Sequence, residues 1–204
     1  YLHSSSGNFN FNLLDKIEEF PQHDLLNKFM NKKNFHNLKE ISKYWIKAQE
    51  VINLNEKITF LKTHSALCNI NGNFFAKNNS TLFFIYIVRD PRNVILSMSN
   101  HFGKTQEESY KILTDERYII YPRVSGELFP ATHVASWKTH YLSWKNSNTK
   151  NKIIIKYEDL INDSKNTFRK ILNFLNEHAN IKYDENRLIN SINTTQFEDF
   201  KKYE

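Results

Sequence analysis

Residues 82–97 read LFFIYIVRDPRNVILS, and this stretch gives the strongest indication of the fold. Residues 82–88 are apolar or aromatic at every position, which is typical of a parallel strand covered on both faces. Asp90 is a favoured residue type at a helix N-cap, and Pro91 suits a first helical turn because its missing N–H is not needed there. The stretch therefore predicts a buried strand that ends at Arg89 and leads directly into a helix.

Two further short apolar segments, 58–61 and 153–157, are predicted to be strands. Helical patterns lie between the predicted strands. Strands that alternate with helices indicate an α/β fold with a mainly parallel central sheet flanked by helices. At 204 residues, the chain is expected to form a single domain over 1–204.

The apolar residues of three other segments recur with helical spacing, at 36–52, 134–146 and 164–178. The last segment opens with Ser164, which we expect to be its N-cap. Residues 69–80 show neither the helical nor the strand period of apolar residues and are expected to form a loop.

The end of the 82–88 strand is a candidate phosphate site. In an open α/β sheet, ligands bind beyond the carboxyl ends of the strands, and a helix N-terminus there attracts anions. Arg89 and Ser97 could both face one phosphate, with Arg89 as a bidentate donor. The alternative is that Arg89 and Arg92 form surface ion pairs and that Ser97 is an ordinary exposed helix residue. This segment alone leaves both interpretations open.

The other two predicted strands also end in polar side chains. The 58–61 strand runs into Lys62, Thr63 and His64, and side chains at i and i+2 of an extended chain point the same way. Lys62 and His64 would thus place a cation and a base at one reacting centre. The alternative for His64 is a hydrogen-bonded structural histidine. Tyr157 ends the third strand, either stacked on a ligand or packed at the rim of the sheet.

Composition limits the class of protein. A hydrophobic share of 40% with only four glycines favours a packed core over an all-β architecture. The net charge of +6 suits anionic ligands, acidic surfaces or nucleic acid without choosing among them. The single cysteine, Cys68, excludes an internal disulfide and a cysteine-based zinc site. No apolar stretch approaches the roughly 18 residues of a membrane span, so we expect no stable membrane insertion and a cytoplasmic location.

Taken together, four motifs resemble the sulfotransferase family that uses 3′-phosphoadenosine-5′-phosphosulfate (PAPS). They occur in the family's order: KTH at 62–64, RDPRNVILS at 89–97, SWKTH at 136–140 and YEDL at 157–160. A fifth segment, TTQFEDFKK at 194–202, is similar to the family's T-S-F-x-x-M-K-K, with Gln196 and Phe200 as departures. Each motif is weak alone, but five in order are specific. The resemblance implies the sulfotransferase fold, which is similar to that of P-loop NTPases.

The resemblance also implies roles for individual residues. Arg89 and Ser97 match the positions that hold the 3′-phosphate of the nucleotide. His64 matches the base that removes the proton from the acceptor hydroxyl, and Lys62 matches a lysine near the transferred group. The positions around the adenine are matched by Tyr157, Thr195 and Phe197.

The reaction implied is in-line transfer of a sulfuryl group from PAPS to a hydroxyl or, less often, an amine. Positioning and electrostatic stabilisation would account for most of the catalysis, and a neutral imidazole suits His64 as base. We expect no metal cofactor. The expected partner is a small-molecule, glycan or lipid acceptor rather than nucleic acid.

Two segments of the family pattern are not found in this sequence. They are the phosphosulfate-binding loop, P-K-S-G-[TN]-T-W in outline, and the C-terminal glycine-rich segment. The early turn at 4–7 has no preceding strand and no lysine, and we interpret it as a linker or turn. We expect a fragment that lacks both ends of the domain and has little transfer activity alone. The alternative is a degenerate homologue that binds nucleotide without transferring sulfate.

Two other classes of protein remain as weaker alternatives. A nucleotide kinase or other P-loop relative would need G-x-x-x-x-G-K-[ST], which the sequence lacks. A basic nucleic-acid-binding module would use Arg89, Arg92 and surface lysines, but the basic residues are scattered and no recognition motif is present.

Overall fold

The computed structural model of the protein describes residues 1–30, 34–54, 57–121 and 130–196. A 3₁₀ helix, Phe11–Lys16, precedes the first strand. The α-helices of the described residues are α1 (His23–Asn27), α2 (Leu38–Ser42), α3 (Trp45–Asn53), α4 (Pro91–Phe102), α5 (Gln106–Thr114), α6 (Trp137–Lys145), α7 (Tyr157–Asn162), α8 (Ser164–Ala179) and α9 (Glu185–Asn193).

Strands in the described part of the chain pair two by two. In chain order they are β1 (Glu18–Glu19), β2 (Leu61–Lys62), β3 (Asn69–Ile70), β4 (Asn73–Phe74), β5 (Phe84–Val88), β6 (Ile119–Ile120), β7 (Thr132–His133) and β8 (Lys152–Lys156). The longest pair, β5 and β8, is parallel, with Phe84 opposite Lys152 and Val88 opposite Lys156. The pair β1–β2 is also parallel, whereas β3–β4 and β6–β7 are antiparallel.

The α/β prediction is confirmed, because small parallel sheets lie among flanking helices. Two apolar clusters pack around β5. The first is built on Trp45, Phe75, Phe84 and Trp144. The second surrounds Ile155 and is formed by the apolar stripes of α8 and α9. Neighbouring side chains of β5 contribute to different clusters, because successive residues of a strand point to opposite faces.

Two strand predictions need correction. Residues 82–88 were expected to be covered on both faces, but Ile87 is 54% exposed and β5 begins only at Phe84. The strand predicted at 58–61 is instead β2, at Leu61–Lys62. Its two residues are the ones that pair with β1, and Phe20 N donates to Lys62 O just beyond that pairing.

The helix predicted over 36–52 is interrupted between α2 and α3. The Ser42 hydroxyl donates to Lys39 O, the carbonyl that Lys43 N would bond in a continuous α-helix. Lys43 N bonds Glu40 O instead, so the helix tightens at this point.

Two smaller predictions also differ from the structure. The N-cap of α8 is Asp163 rather than Ser164, and the Ser164 hydroxyl donates to Leu160 O at the end of α7. Residues 69–80, expected as a loop, contain the hairpin β3–β4. Its turn, Asn71–Gly72, has positive φ at both residues (52° and 86°), as the Asn-Gly pair of a tight hairpin requires.

Candidate active site

The carboxyl end of β5 forms a tightly held corner. Asp90 is the N-cap of α4, its carboxylate accepts from Arg92 N at 2.9 Å, and Pro91 is the first helical residue, as predicted. Asp90 N donates to Glu158 Oε1 at 3.1 Å, and Arg89 O accepts from Trp137 Nε1 at 3.2 Å. The backbone at the strand end is therefore fixed by contacts from α6 and α7.

The Arg89 side chain lies in this corner without an acceptor for its inner nitrogen. Its guanidinium carbon is 4.5 Å from the centre of the Tyr157 ring, a cation–π contact. Tyr157 is the first residue of α7 and follows directly after β8, so the parallel pairing brings both strand ends together. Arg89 Nε is buried and has no hydrogen-bond partner. An unpaired cationic N–H in this position is suited to bind an anionic oxygen.

Arg92 is engaged differently. Its guanidinium forms an ion pair with Asp90, with 2.5 Å between Nη2 and Oδ2, and its side chain is 87% exposed. Hydrogen bonds from Arg92 lower the pKa of Asp90 to about 2. Arg92 thus fixes the loop, whereas Arg89 leaves its Nε buried and unpaired at the strand end.

Ser97 lies exposed on α4, six residues after Pro91. At a rise of 1.5 Å per residue, Ser97 lies about 9 Å along the helix axis from Pro91, the first residue of α4.

The backbone that follows His64 is pinned by hydrogen bonds. Trp144 Nε1 of α6 donates to Ser65 O at 3.0 Å, and Ala66 N donates to His133 O of β7 at 2.8 Å. Leu67 N donates to Ser143 Oγ at 3.0 Å. The position of His64 at the edge of the sheet is therefore set by α6 and β7.

His140, on α6, supports the same segment from behind. Tyr86 Oη and His140 Nδ1 are 2.8 Å apart, and His140 also hydrogen-bonds the His64 backbone. Burial raises the pKa of Tyr86 to about 12, so the phenol keeps its proton and is able to donate to Nδ1 of the neutral His140 tautomer that carries its hydrogen on Nε2. The Nε2–H of His140 is then the group available to donate to His64 O.

The pKa of His64 is lowered, and neighbouring Lys62 forms an ion pair with Glu19. Atoms packed around the partly exposed ring lower the pKa of His64, nearby Lys62 lowers it further, and Glu19 opposes both. The depressed pKa keeps the imidazole neutral at neutral pH. Lys62 Nζ lies 2.7 Å from Glu19 Oε1, across the β1–β2 pairing.

One turn of α6 links these two groups of residues. Trp137 bonds the Arg89 carbonyl, and His140, three residues later, bonds the His64 backbone. Residues three apart lie on the same face of a helix. This link was not predicted from the sequence. The motif SWKTH does contain a signal for it, because Trp137 and His140 are three residues apart.

Two of the three expected adenine positions, Tyr157 and Thr195, lie within the described residues. Thr195 is exposed just after α9, and its hydroxyl donates to Ser191 O at 2.6 Å within its own helix. Phe197 lies outside the described residues. Tyr157 is in contact with Arg89.

The N-terminal turn packs on α9. Arg187 Nη2 donates to Ser4 O and Ser191 Oγ donates to Gly7 O, both at 2.9 Å. Phe9 N donates to Thr194 Oγ1, also at 2.9 Å. The segment interpreted as a linker or turn is thus a turn fixed next to Thr195, a contact that its sequence does not indicate.

Neither a metal cluster nor a membrane span is found in the part of the chain described above. Residues 1–30, 34–54, 57–121 and 130–196 contain no group of three or more His, Cys, Asp or Glu side chains arranged to hold an ion. Within the same ranges, no helix is long and apolar enough to cross a bilayer.

Comparison with known proteins gives one family. Among solved structures, the mouse sulfotransferase SULT7A1, crystallised in complex with PAP, shares 25% identity over 57% of this chain and 39% of its own, with a TM-score of 0.42. The matched segment thus spans about two fifths of that protein. No curated protein matches the sequence. The family model described as "Sulfotransferase domain" matches residues 8–204. The chain belongs to the sulfotransferase domain family.

Proposed function

We propose that residues 1–204 form one sulfotransferase domain that binds PAPS and transfers its sulfuryl group to an acceptor hydroxyl or amine. The observation that carries the proposal is the buried, unpaired Arg89 Nε beside the Tyr157 ring. Family membership supports a sulfated nucleotide as the ligand that we propose for this strand end. A phosphate oxygen would satisfy the N–H that burial otherwise leaves at a cost in free energy.

Donor binding, in this proposal, uses the corner at the end of β5. Arg89 and Ser97 would hold the 3′-phosphate, and Tyr157, Thr195 and Phe197 would surround the adenine. The Arg89 guanidinium covers one face of the Tyr157 ring. A phosphate bound by Arg89 would therefore hold this guanidinium against the ring. Arg92 would maintain the loop through Asp90 and contact no ligand.

Proton removal is assigned to His64. The bound donor supplies an activated sulfur, whose bond to the 5′-phosphate oxygen breaks as the acceptor oxygen bonds to it. Neutral His64 takes the acceptor proton, and the electron pair of the broken bond leaves with the phosphate. Lys62 would stabilise the developing charge once it is drawn away from Glu19. Tyr86 and His140 would hold the His64 backbone in position.

The same proposal includes three further points. The acceptor is a small molecule, a glycan or a lipid, the reaction requires no metal, and the protein is located in the cytoplasm. The chemistry requires only a nucleophilic oxygen or nitrogen, a base and a cation.

A thermal-shift experiment tests donor binding. We expect 3′-phosphoadenosine-5′-phosphate (PAP) to stabilise the chain by about 2.7 kcal/mol at a hundredfold excess over Kd, which raises Tm by about 5–10 °C. ATP and a single-stranded oligonucleotide should give smaller shifts. Arg89→Ala should lose the PAP shift because the side chain proposed to bind the 3′-phosphate is gone.

Arg92→Ala is the matched control, since this arginine lies three residues away and is expected to contact no ligand. It should keep most of the shift. A PAP shift that survives Arg89→Ala, or an equal shift with oligonucleotide, would refute the assignment.

A homologue that binds nucleotide without transferring sulfate is the second candidate. The contact that favours it is the Lys62–Glu19 ion pair, which occupies the cation expected at the reacting centre. Transfer of ³⁵S from labelled PAPS to a panel of phenols separates the two candidates. Even weak turnover that is lost in His64→Gln supports the enzyme, whereas Arg89-dependent PAP binding with no detectable turnover supports the binding protein.

A further inference from the structure

Glu19, on β1, forms the ion pair that holds Lys62. The two residues lie directly opposite each other in the parallel pairing of β1 with β2, and Phe20 N donates to Lys62 O at 2.8 Å. Neighbouring residues of paired strands present their side chains on the same face of the sheet. Glu19 Oε1 consequently lies 2.7 Å from Lys62 Nζ. The backbone pairing thus brings a carboxylate to the lysine that is proposed to act at the reacting centre.

The carboxylate is the better fixed partner of this pair. The Glu19 side chain is 21% exposed, and the next residue, Phe20, is buried with its ring centre 5.6 Å from that of Phe75. The Lys62 side chain is 49% exposed, and its ammonium ends a flexible four-carbon stem. The ammonium is therefore the group that can move, while Glu19 stays with β1.

Both charges of the pair lie close to His64. Besides the burial that lowers the pKa of His64, the charge of Lys62 lowers it further and that of Glu19 raises it. A carboxylate in this position repels an anionic group that approaches Lys62. Glu19 is thus placed to act on the binding of a negatively charged ligand beside the candidate base.

The ion pair is weak enough for such a ligand to break. An exposed ion pair contributes at most about fivefold to an equilibrium, whereas a hydrogen bond to a charged group contributes about 10- to 100-fold. A sulfuryl oxygen that accepts from Lys62 would therefore displace Glu19. The pair would still reduce the affinity for that ligand, because it has to be broken first.

We propose that Glu19 is a positioning residue that holds Lys62 until the sulfuryl group of PAPS draws the ammonium away. Glu19 then competes with the sulfuryl group for Lys62, and the pair forms again once this group has left. The proposal rests on the proposed function, because it places the sulfuryl group beside Lys62. It goes beyond that function in giving Glu19 control over the cation at the reacting centre.

Calorimetric titration with PAPS and with PAP tests this role, because both nucleotides carry the 3′-phosphate but only PAPS carries a sulfuryl group. In Glu19→Gln, the affinity for PAPS should rise about two- to fivefold, the range of an exposed ion pair, relative to the affinity for PAP. A ratio of the two affinities that Glu19→Gln leaves unchanged or lowers would overturn the proposal.

Glu18→Gln is the matched control, since Glu18 is exposed on the same strand and successive side chains of a strand point to opposite faces. It removes the same charge and should keep the ratio of the wild type. In a Lys62→Gln background, Glu19→Gln should leave the ratio unchanged, because the cation for which it competes is gone. An equal effect of Glu18→Gln, or an undiminished effect of Glu19→Gln without Lys62, would refute the role of Glu19.

The titration midpoint of the His64 ring gives a readout without any ligand. The charged groups that act on His64 are Lys62 and Glu19, and the ring of His140 faces its backbone. Glu19 is the group among these that favours the protonated imidazole. Glu19→Gln should therefore lower the midpoint measured by histidine ring NMR, and Glu18→Gln should lower it less. A midpoint that Glu19→Gln leaves unchanged or raises would contradict the placement of this carboxylate.

The titration with PAP also separates this proposal from the proposed function. Arg89-dependent PAP binding with a PAPS-to-PAP ratio that does not respond to Glu19→Gln refutes the role of Glu19 and leaves the function intact. If neither nucleotide binds, the proposed function fails and the role of Glu19 fails with it, even where the His64 midpoint still shifts.

Discussion

Arg89 and Arg92 are three residues apart and make different contacts. Arg92 is exposed and held by Asp90, while the Arg89 guanidinium stacks on Tyr157 with Nε buried and unpaired. The sequence predicted the strand end and the helix start, because Asp90 and Pro91 are local signals. The Tyr157 contact depends on the pairing of β5 with a distant strand, so the sequence suggested only that Arg89 was the better candidate.

His140 illustrates what local patterns leave out. It is part of the SWKTH motif, but its partners are Tyr86 on β5 and the His64 backbone. These partners come from two other parts of the chain. A role for the histidine could be assigned only once the fold had brought them together.

The two histidines give a pH prediction. Burial and nearby positive charge lower the pKa of both His64 and His140, so each ring should titrate below the ordinary value of 6.5. Because the unfolded rings bind protons more readily, their contribution to stability is complete above about pH 6.5. It is lost as the pH falls through the folded-state pKa values. Histidine ring NMR measures both midpoints, with His64→Gln and His140→Gln assigning the signals.

Tyr86→Phe refines this test. A phenol that donates to Nδ1 favours the neutral form of His140, so its loss should raise the His140 midpoint. Tyr141→Phe is a suitable control, because the Tyr141 ring stacks on Trp137 and also lies near Tyr86. A His64 midpoint at or above 6.5, or identical effects of the two tyrosine variants on His140, would contradict this description of the site.

At the scale of elements, α6 organises the site. Trp137 and His140 reach the two strand ends, and Trp144 and Ser143 hold the residues after His64. The helix was predicted over 134–146 and is observed at Trp137–Lys145. Its apolar period was enough to find it, but its contacts required the tertiary structure.

The other elements show which signals were overlooked. The break between α2 and α3 follows from the Ser42 hydroxyl bonding Lys39 O, which helical periodicity does not reveal. The hairpin β3–β4 did carry a signal, the Asn71–Gly72 pair, within a segment predicted to be a loop. Periodicity is a poor guide to strands of two residues, because they are too short to show alternation.

A matched pair of glycines tests the docking of the N-terminal turn on α9. Gly7 and Gly72 have φ of 84° and 86°, so alanine is strained at both. A Cβ at Gly7 would lie 2.2 Å from Arg187 O, whereas one at Gly72 meets nothing within 4 Å. We expect Gly72→Ala to cost about 1 kcal/mol and Gly7→Ala about 2–4 kcal/mol in free energy of unfolding.

Urea denaturation measures both losses. Equal losses in the two variants would mean that the turn does not rest on α9 as described.

At the scale of the whole molecule, β5 joins the two apolar clusters. Phe84 packs in the first cluster, and Ile85 lies against the second. This arrangement agrees with the single domain that we propose. It also makes β5 the element whose two faces support the two halves of the fold.

The α/β class could be predicted because predicted strands and helices alternate along the chain. The family could be predicted because its motifs occur in the family's order. The extent of each sheet could not, because pairing is decided between segments far apart in sequence. The same holds for the candidate site: Arg89 and His64 were predicted from motifs, but their link through α6 was not.

The central claim is that Arg89 binds the 3′-phosphate of the nucleotide. Calorimetric titration of PAP and of AMP, which lacks that phosphate, into the wild-type chain and Arg89→Ala tests it most directly. We expect the wild type to prefer PAP by about 10- to 100-fold, the range of a charged hydrogen bond, and Arg89→Ala to lose this preference. An unchanged preference for PAP in Arg89→Ala would contradict it.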